Sequence, residues 1–376
     1  MRICSPHCGI APETTSGGET YERELLVRLG RAGVPIDLIL ARGKPYPPAV
    51  PNWTVHRFRI GRGLRWYVAP FVVPRAIKRV HDATGFDLLR VHSLRYIGPA
   101  ALWARWRYDL QVPVVAHHHH LDRSILNPII EKRVIEQSDY VITVSEFSKR
   151  QLASELGVRV DHVVAIHNGV DERFAPGPRA AVLAARLGVH DRPVAMFLGG
   201  LKPRKNLHFL LDVWAQVAAK LPEPMLLIAG AGDLADPLRR TAERLGLASR
   251  VVFSGHVPEG EKVEFYNLAD VFVSPSHLEG FGLSVAEAMS CGRPVVVPRV
   301  GALPELVGPG LGAILCEPDS VDDFAAALIS LLSSREAARE RGRANHERVD
   351  RLFRWDRTVR QVLDVYELAR RKERSA

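Results

Sequence analysis

The chain has 376 residues, 47% apolar and 25% charged, an ordinary soluble composition at a length that suits two domains of roughly 150–200 residues each. The longest apolar stretch, 68–73, is interrupted by Pro70 and closed by Pro74, so no run of ~18 or more apolar residues is available to span a membrane. The net charge of +9 is uneven: residues 1–174 carry 24 Lys and Arg against 17 Asp and Glu, an imbalance that favours anionic partners.

Met1-Arg2-Ile3-Cys4 enters a strand-like run directly, without a basic, apolar, small-residue leader, which points to the cytoplasm. Cys4, Cys8, Cys291 and Cys316 lack zinc spacing, so reduced, buried thiols are expected. Strands are predicted at 1–5, 35–40, 86–91, 112–116, 140–144 and 163–167, then at 194–198, 225–229, 251–254, 271–274, 295–297 and 312–316. Helices are predicted between them, for example at 19–29, 145–156, 207–220 and 234–245. This alternation predicts an α/β protein whose parallel sheets are covered on both faces. About six strands per half fits two doubly wound, Rossmann-like lobes better than one very wide sheet. Pro176-Gly177-Pro178 suits a linker just after His167-Asn168-Gly169-Val170-Asp171, so the division is placed between 174 and 175. The stretch 351–372, with Leu352, Trp355, Val359, Val362, Leu363 and Tyr366 at helical steps, is a further helix able to pack on either lobe.

Thr15-Ser16-Gly17-Gly18-Glu19-Thr20 joins the first strand to the first helix. Its glycine pair is a weak signal, since any tight turn uses one, and the dinucleotide fingerprint and P-loop are both missing. Residues 56–108 then hold eleven Lys and Arg against two Asp and Glu. Such a patch attracts phosphates, nucleic acid or an acidic membrane; a solvated basic face is the plain alternative. Within it, 58–80 interleaves Trp66, Tyr67 and Phe71 with Arg59, Arg62, Arg65, Arg75 and Lys78. The expectation is contact with an anionic membrane surface or a lipid-linked acceptor, which would make the protein peripheral on the inner face of the membrane. A buried helix with snorkelling arginines is the competing reading.

Val112-Pro113-Val114-Val115-Ala116 runs into His117-His118-His119-His120. Consecutive side chains of an extended segment point to opposite faces, so the four cannot share one metal, and no metal site is expected. Phe197-Leu198-Gly199-Gly200-Leu201-Lys202-Pro203-Arg204-Lys205-Asn206 ends a strand and starts a helix. There the glycines clear space, and Lys202, Arg204 and Lys205 can neutralise a diphosphate. Most informative is Glu279-Gly280-Phe281-Gly282-Leu283-Ser284-Val285-Ala286-Glu287-Ala288-Met289, placed at the carboxyl end of a parallel strand. Gly280 and Gly282 admit close backbone approach, helix-start amides favour a phosphate, and Glu279 and Glu287 can bind sugar hydroxyls on either side. The alternative is a capping box, Ser284-x-x-Glu287, that would tie Glu287 to backbone amides.

Taken together these segments resemble glycosyltransferase family 4, retaining enzymes of the GT-B fold that include mannosyltransferases. The match rests on Glu279-x7-Glu287 in its Glu-Gly-Phe-Gly-Leu frame, with Ser145-Glu146-Phe147-Ser148-Lys149, Asn168-Gly169-Val170-Asp171, Pro203-Arg204-Lys205-Asn206 and Gly301-Ala302-Leu303-Pro304-Glu305 in the expected order. The resemblance spans about residues 1–370 and implies two Rossmann-like domains facing a cleft. The first, 1–174 with a returning helix in 352–376, would take the acceptor, and 175–351 would take the donor. Gly17 and Gly18 would face the donor phosphates, with the Gly18 amide offered to them, and His119, rather than its neighbours, would face the donor sugar. Arg204 and Lys205 would meet the diphosphate, Glu279 the transferred sugar with amides of Phe281, Gly282 and Leu283 nearby, and Glu287 the ribose. Many relatives carry Arg where Gly200 stands, which shifts that role to Arg204 and Lys205.

On this reading the developing charge of the departing nucleoside diphosphate is met by Lys205, Arg204 and helix-end amides, with no metal or other cofactor required. Catalysis would involve Lys205 with Glu279 or His119 at the sugar. The co-substrate would be a nucleotide-diphosphate sugar, GDP-mannose favoured and a UDP-sugar second. The acceptor would be a glycan, a lipid-linked compound or a small molecule. A sugar-nucleotide epimerase or phosphorylase of the same fold is the rival enzyme, against which the Glu279–Glu287 signature speaks. A nucleotide- or RNA-binding module is the rival non-enzyme, but no aromatic-rich nucleic-acid motif accompanies the basic patch, so nucleic acid is not an expected partner.

Overall fold

The computed structural model describes residues 1–12, 17–60, 65–119, 127–310 and 312–374, with the side chains of 65–69, 127, 373 and 374 outside the described set. Thr15, Ser16, Arg62 and His120 therefore lie outside the described residues, as do the side chains of Arg65, Trp66 and Tyr67. The chain divides into two compact units, Met1–Asn168 with Trp355–Ala376, and Gly169–Arg354.

The first unit runs β1 (Ile3–His7), α1 (Gly17–Arg31), β2 (Ile36–Ala41), β3 (Trp53–Phe58), α2 (Arg65–Thr84), β4 (Leu88–Val91), α3 (Ile97–Arg107), β5 (Val114–His118), α4 (Asn127–Gln137), β6 (Tyr140–Thr143), α5 (Glu146–Leu156) and β7 (Val163–Ala165). Its strands form a parallel sheet in the order β3-β2-β1-β4-β5-β6-β7. Adjacent strand residues serve opposite faces, as the two-residue repeat requires. Leu38, Leu88 and Val115 pack in one apolar cluster with α1, while Ile39, Leu89 and Val114 pack in another with α2 and α3. Both faces are covered, which is why these strands read as unbroken apolar runs. Helix α5 starts where Ser145 Oγ accepts from the Ser148 amide at 3.0 Å and stops at Gly157, left-handed at φ 60°.

One strand differs from the sequence expectation: β3 makes seven strands where about six were expected. It pairs in register with β2, Ile36 opposite Trp53, but its side chains are only half-buried or exposed. An edge strand with Thr54, His56 and Arg57 facing partly outward lacks the apolar run that marks the other strands.

The second unit runs α6 (Ala181–Arg186), β8 (Val194–Leu198), a 3-10 turn (Pro203–Lys205), α7 (Leu207–Lys220), β9 (Met225–Ala229), α8 (Ala235–Arg244), β10 (Val251–Gly255), α9 (Lys262–Leu268), β11 (Val271–Val273), α10 (Leu283–Ser290), β12 (Val295–Pro298), α11 (Leu303–Val307), β13 (Ala313–Cys316), α12 (Val321–Ser333) and α13 (Arg335–Leu352). The parallel order is β10-β9-β8-β11-β12-β13. Helix α7 shows how pattern becomes packing: Leu207, Leu210, Leu211, Trp214 and Val217 recur at three- and four-residue steps, and all are buried. Trp214 keeps its indole N–H paired, donating to the Arg250 carbonyl at 3.1 Å. Residues 169–174 belong with this unit: the Val170 amide donates to the Phe353 carbonyl at 2.7 Å and Ser290 Oγ to the Phe174 carbonyl at 2.5 Å.

After the second unit the chain adds α14 (Trp355–Arg374) to the first. Val362, Tyr366 and Ala369 on one face are fully buried, Trp355 stacks on Tyr21 at 5.6 Å, and Thr358 Oγ1 donates to the His167 carbonyl at 2.9 Å. The stretch 351–372, which the pattern left free to join either lobe, thus becomes the end of α13 and most of α14. No helix among the described residues is long and apolar enough to cross a membrane. All four cysteines are free thiols.

Candidate active site

In the second unit the loop after β11 descends through Ser274 and Ser276, both fully buried, before it turns at Glu279. The Glu279 carboxylate is buried and lies 2.5 Å from Lys205 Nζ and 3.4 Å from Arg204 Nη1. Burial alone would favour its protonated form; the charges of Lys205 and Arg204 and hydrogen bonds from Lys205 and Ser276 outweigh that and hold the carboxyl below its ordinary range. The basic loop is fixed to the acidic one, since the His277 amide donates to the Arg204 carbonyl at 3.0 Å. Lys205 is itself buried, whereas the Arg204 side chain is 57% exposed. A methyl group on Gly200 would touch only the Lys202 stem, so this position leaves room for a larger side chain.

Behind Glu279 lies a buttress whose use the sequence did not reveal. The Ala302 amide donates to the Glu279 carbonyl at 2.9 Å, and Gly301, at φ 57°, stands so close that a Cβ would lie 2.9 Å from the Glu279 amide nitrogen. Gly301-Ala302-Leu303-Pro304-Glu305 therefore acts by shaping the backbone under the carboxylate. Gly282 is the left-handed N-cap of α10 at φ 95°, and a Cβ there would press on Leu303 at 2.9 Å.

Glu287 stands in the second turn of α10, which begins at Leu283. No side chain caps this helix, so the capping box does not form. Instead Glu287 Oε2 accepts from the Tyr266 hydroxyl at 2.7 Å and Oε1 lies 3.5 Å from Lys262 Nζ. Burial pushes the Glu287 carboxyl up, against the opposing pull of Lys262 and Tyr266. Phe281 turns its ring inward, edge-on to Phe353 at 5.7 Å, so it offers the site backbone rather than side chain. Lys205, Arg204, Glu279, Gly280, Gly282, Leu283 and Glu287 are thus carried by two neighbouring strand-helix loops of one sheet. The gap between those strands is where the chain reverses its winding, running from β8 outward through β9 to β10 and then back across to β11.

The first unit gathers the remaining candidates. Gly17 and Gly18 open α1, and the Gly18 backbone faces the His119 ring: a Cβ there would sit 3.9 Å from Cγ. His119 Nε2 lies 2.7 Å from Glu22 Oε1, and Arg90 Nη2 lies 2.5 Å from Glu22 Oε2. A cavity of about 350 Å3 is lined by Gly18, Glu22, Lys44, His92, Tyr96 and His119, with others. His117 and His118 remain buried in β5. Burial holds His7 and His117 well below the usual imidazole range and lowers His92 to about 4.

His7, Glu22 and His92 bring donor atoms within 4.8 Å of one another. They make a poor cation site. Arg90 already neutralises Glu22, and the two rings stack at 3.8 Å and 10°, so their in-plane lone pairs run parallel rather than converge. Lys262 and Tyr266 around Glu287, Ser276 beside Glu279, and Glu22, Arg90 and Tyr366 around His119 were not singled out by sequence. They follow no local spacing, and only the fold assembles them.

The family model described as Glycosyltransferase Family 4 matches residues 15–174, and that described as Glycosyl transferases group 1 matches 183–348. A D-inositol 3-phosphate glycosyltransferase of Mycolicibacterium smegmatis is 30% identical over 94% of this chain and 86% of its own length. A GDP-mannose-dependent alpha-(1-6)-phosphatidylinositol monomannoside mannosyltransferase of the same organism is 33% identical over 66% of this chain and 67% of its own. Among solved structures, sucrose-phosphate synthase from Thermosynechococcus elongatus superposes with a TM-score of 0.80 over 98% of both chains at 24% identity, which establishes the shared GT-B fold. With both domain models matched in order and a curated relative aligned along nearly the whole chain, this protein belongs to the group 1 and family 4 glycosyltransferases and is a glycosyltransferase.

Proposed function

We propose that the protein moves a hexose, with retention of configuration, from a nucleotide-diphosphate sugar to an acceptor hydroxyl, GDP-mannose being the favoured donor and a UDP-sugar the second. The observation that carries this is the buried Glu279 carboxylate held by Lys205 and Arg204 at the strand ends of the second unit. In the proposed step the C1–O bond to the diphosphate breaks and its electron pair leaves on the diphosphate. The acceptor oxygen attaches on the same face, and its proton passes to a departing phosphate oxygen. Lys205, Arg204 and the amides of Gly282 and Leu283 meet the growing negative charge, with no metal in that role. Glu279 and His119 attend the transferring sugar, Gly17 and Gly18 lend backbone to the donor, and Glu287 takes the ribose hydroxyls. GDP-mannose is favoured because the mannosyltransferase relative is named for it; UDP-glucose accompanies the Anabaena HepE structure, a fold relative at 20% identity.

Calorimetry with GDP, UDP and ADP tests the donor site. One nucleotide is expected to bind selectively, and Glu287→Ala is expected to weaken it roughly 10- to 100-fold, the worth of hydrogen bonds to a charged group. Binding of none of the three by the folded protein would sink this reading.

The acceptor is proposed to occupy the 350 Å3 cavity of the first unit, a size suited to a polyol or one sugar, free or on a lipid. A lipid-linked acceptor would be met at an anionic membrane by α2 and α3. Val73, Ile77 and Val80 anchor α2 in the core, while Phe71 is 58% and Trp106 78% exposed beside Arg75 and Arg107. Vesicle flotation is expected to recover more protein with anionic than with neutral lipid, and Phe71→Ser is expected to reduce the difference. Equal recovery with both lipids would count against membrane docking.

A further inference from the structure

The ring of His119 is the outermost member of a buried polar chain that crosses four elements. Glu22 stands in α1, Arg90 in β4, Tyr366 in α14 and His119 just beyond β5. Arg90 and Tyr366 are fully buried and Glu22 is 1% exposed, while the His119 side chain is 15% exposed and lines the cavity. The proton order is set from the middle. Arg90 can only donate: its Nη2 forms the ion pair with Glu22, and its Nε–H goes to the Tyr366 oxygen at 2.9 Å. The Tyr366 hydroxyl proton is then turned to His117 Nε2 at 2.8 Å. An ionised Glu22 can only accept, so His119 must carry its proton on Nε2, and Nδ1 is left as the acceptor of the neutral ring.

We propose that Glu22 is a positioning residue for His119, fixing its ring and its Nε2–H tautomer, and that Arg90 with Tyr366 holds Glu22 in place to do so. The inference rests on the assignment of His119 to the reacting sugar. Stability alone is a weak reason for such a pair, since apolar side chains of similar volume serve a core as well or better than buried charges. What the charges add is direction. A carboxylate whose second oxygen is paired with Arg90 turns its first oxygen to the imidazole, and both Glu22 and the ring line the cavity. Gly18 backs onto the ring without a side chain, a Cβ there falling 3.9 Å from His119 Cγ.

The test uses the full chain with 15N-labelled histidine, and the His119 signals are identified by their loss in His119→Asn. Long-range proton–nitrogen spectra of the wild type are expected to show the Nε2–H tautomer. Glu22→Gln strands the Arg90 charge and can fail to fold, so the deciding variant is Glu22→Gln with Arg90→Gln, which removes both charges together. Its thermal midpoint reports folding. The folded double variant is expected to lose the single tautomer and to drop kcat about 10- to 100-fold or more with the donor KM nearly unchanged, the lower range being that typical for loss of a partner orienting a ligating histidine. An Nδ1–H tautomer in the wild type, or a double variant within about twofold of wild-type kcat, would overturn the proposal. The spectra do not depend on turnover, so a wild type that transfers no sugar would count against the assigned reaction while the tautomer still decides the positioning.

Discussion

Lys205→Ala is expected to lower kcat about 10²- to 10³-fold, the typical loss when one preorganised donor to a developing oxyanion is removed. Lys205 is buried, and its ammonium is paired with Glu279 at 2.5 Å. Arg204 is more than half exposed and 3.4 Å from the same carboxylate, so Arg204→Ala should cost about tenfold or less, screened as exposed charges are. The Lys205 variant has a second signature. Without its main partner, Glu279 keeps the burial that favours the proton and loses the larger of the two charges that oppose it. Its carboxyl then rises towards neutrality, and the variant's rate should fall off on the acid side at a higher pH than the wild type's. A Lys205→Ala enzyme within threefold of wild type across that range would remove Lys205 from the reaction.

The second large effect is acid lability. His7, His92 and His117 are buried neutral, burial being the main cause of their lowered proton affinity, with His92 at about 4. In the unfolded chain each titrates near its ordinary value of about 6.5. Below that value the unfolded state binds protons that the folded state refuses, so stability falls as pH falls, by up to about 1.4 kcal/mol per unit for each histidine. Between pH 7 and pH 5 each contributes a loss of roughly 2 kcal/mol. Three together approach the net stability of an ordinary domain, about 5–15 kcal/mol. Glu22 does not add to this loss. Its folded affinity is depressed by Arg90 and His119 against the opposing effect of burial, so its stabilisation is present above about pH 4.3 and is lost only in stronger acid. Urea midpoints at pH 7 and pH 5 measure the slope, and His92→Gln should flatten it. An unchanged midpoint would mean that these rings take up protons in the folded state.

The donor motifs were legible because each is local. Glu279 and Glu287 are eight residues apart, Arg204 and Lys205 are adjacent, and both groups sit where an apolar run meets a helical pattern. The pattern therefore places each at the carboxyl end of its own strand, and the sheet order makes those strands neighbours. The partners that tune them were not legible. Tyr266 and Lys262 reach Glu287 from the preceding helix, and the Arg90–Tyr366 contact joins residues 276 apart. Nothing in Arg90 as a letter distinguishes it from the other ten cations counted in 56–108; burial in a central strand does. The same patch was read as one basic surface, yet it holds both this buried guanidinium and the exposed Arg75 and Arg107. The strand at Trp53–Phe58 escaped notice for the opposite reason, since its pairing comes from backbone bonds to β2 rather than from its side chains.

The place of α14 in the chain sets an order of assembly. During synthesis β1, α1, β4 and β5 emerge first, and Glu22 and Arg90 can find each other within them. Tyr366, the acceptor for Arg90 Nε and the donor to His117, does not exist until all of 169–354 has been made. The first unit begun is therefore finished after the second, and for that interval a charged, half-satisfied interior waits for its closing helix. A nascent chain in that state has its second unit able to complete its own core while the unit bearing His119 is still open, an exposed interior of the kind that holding chaperones bind.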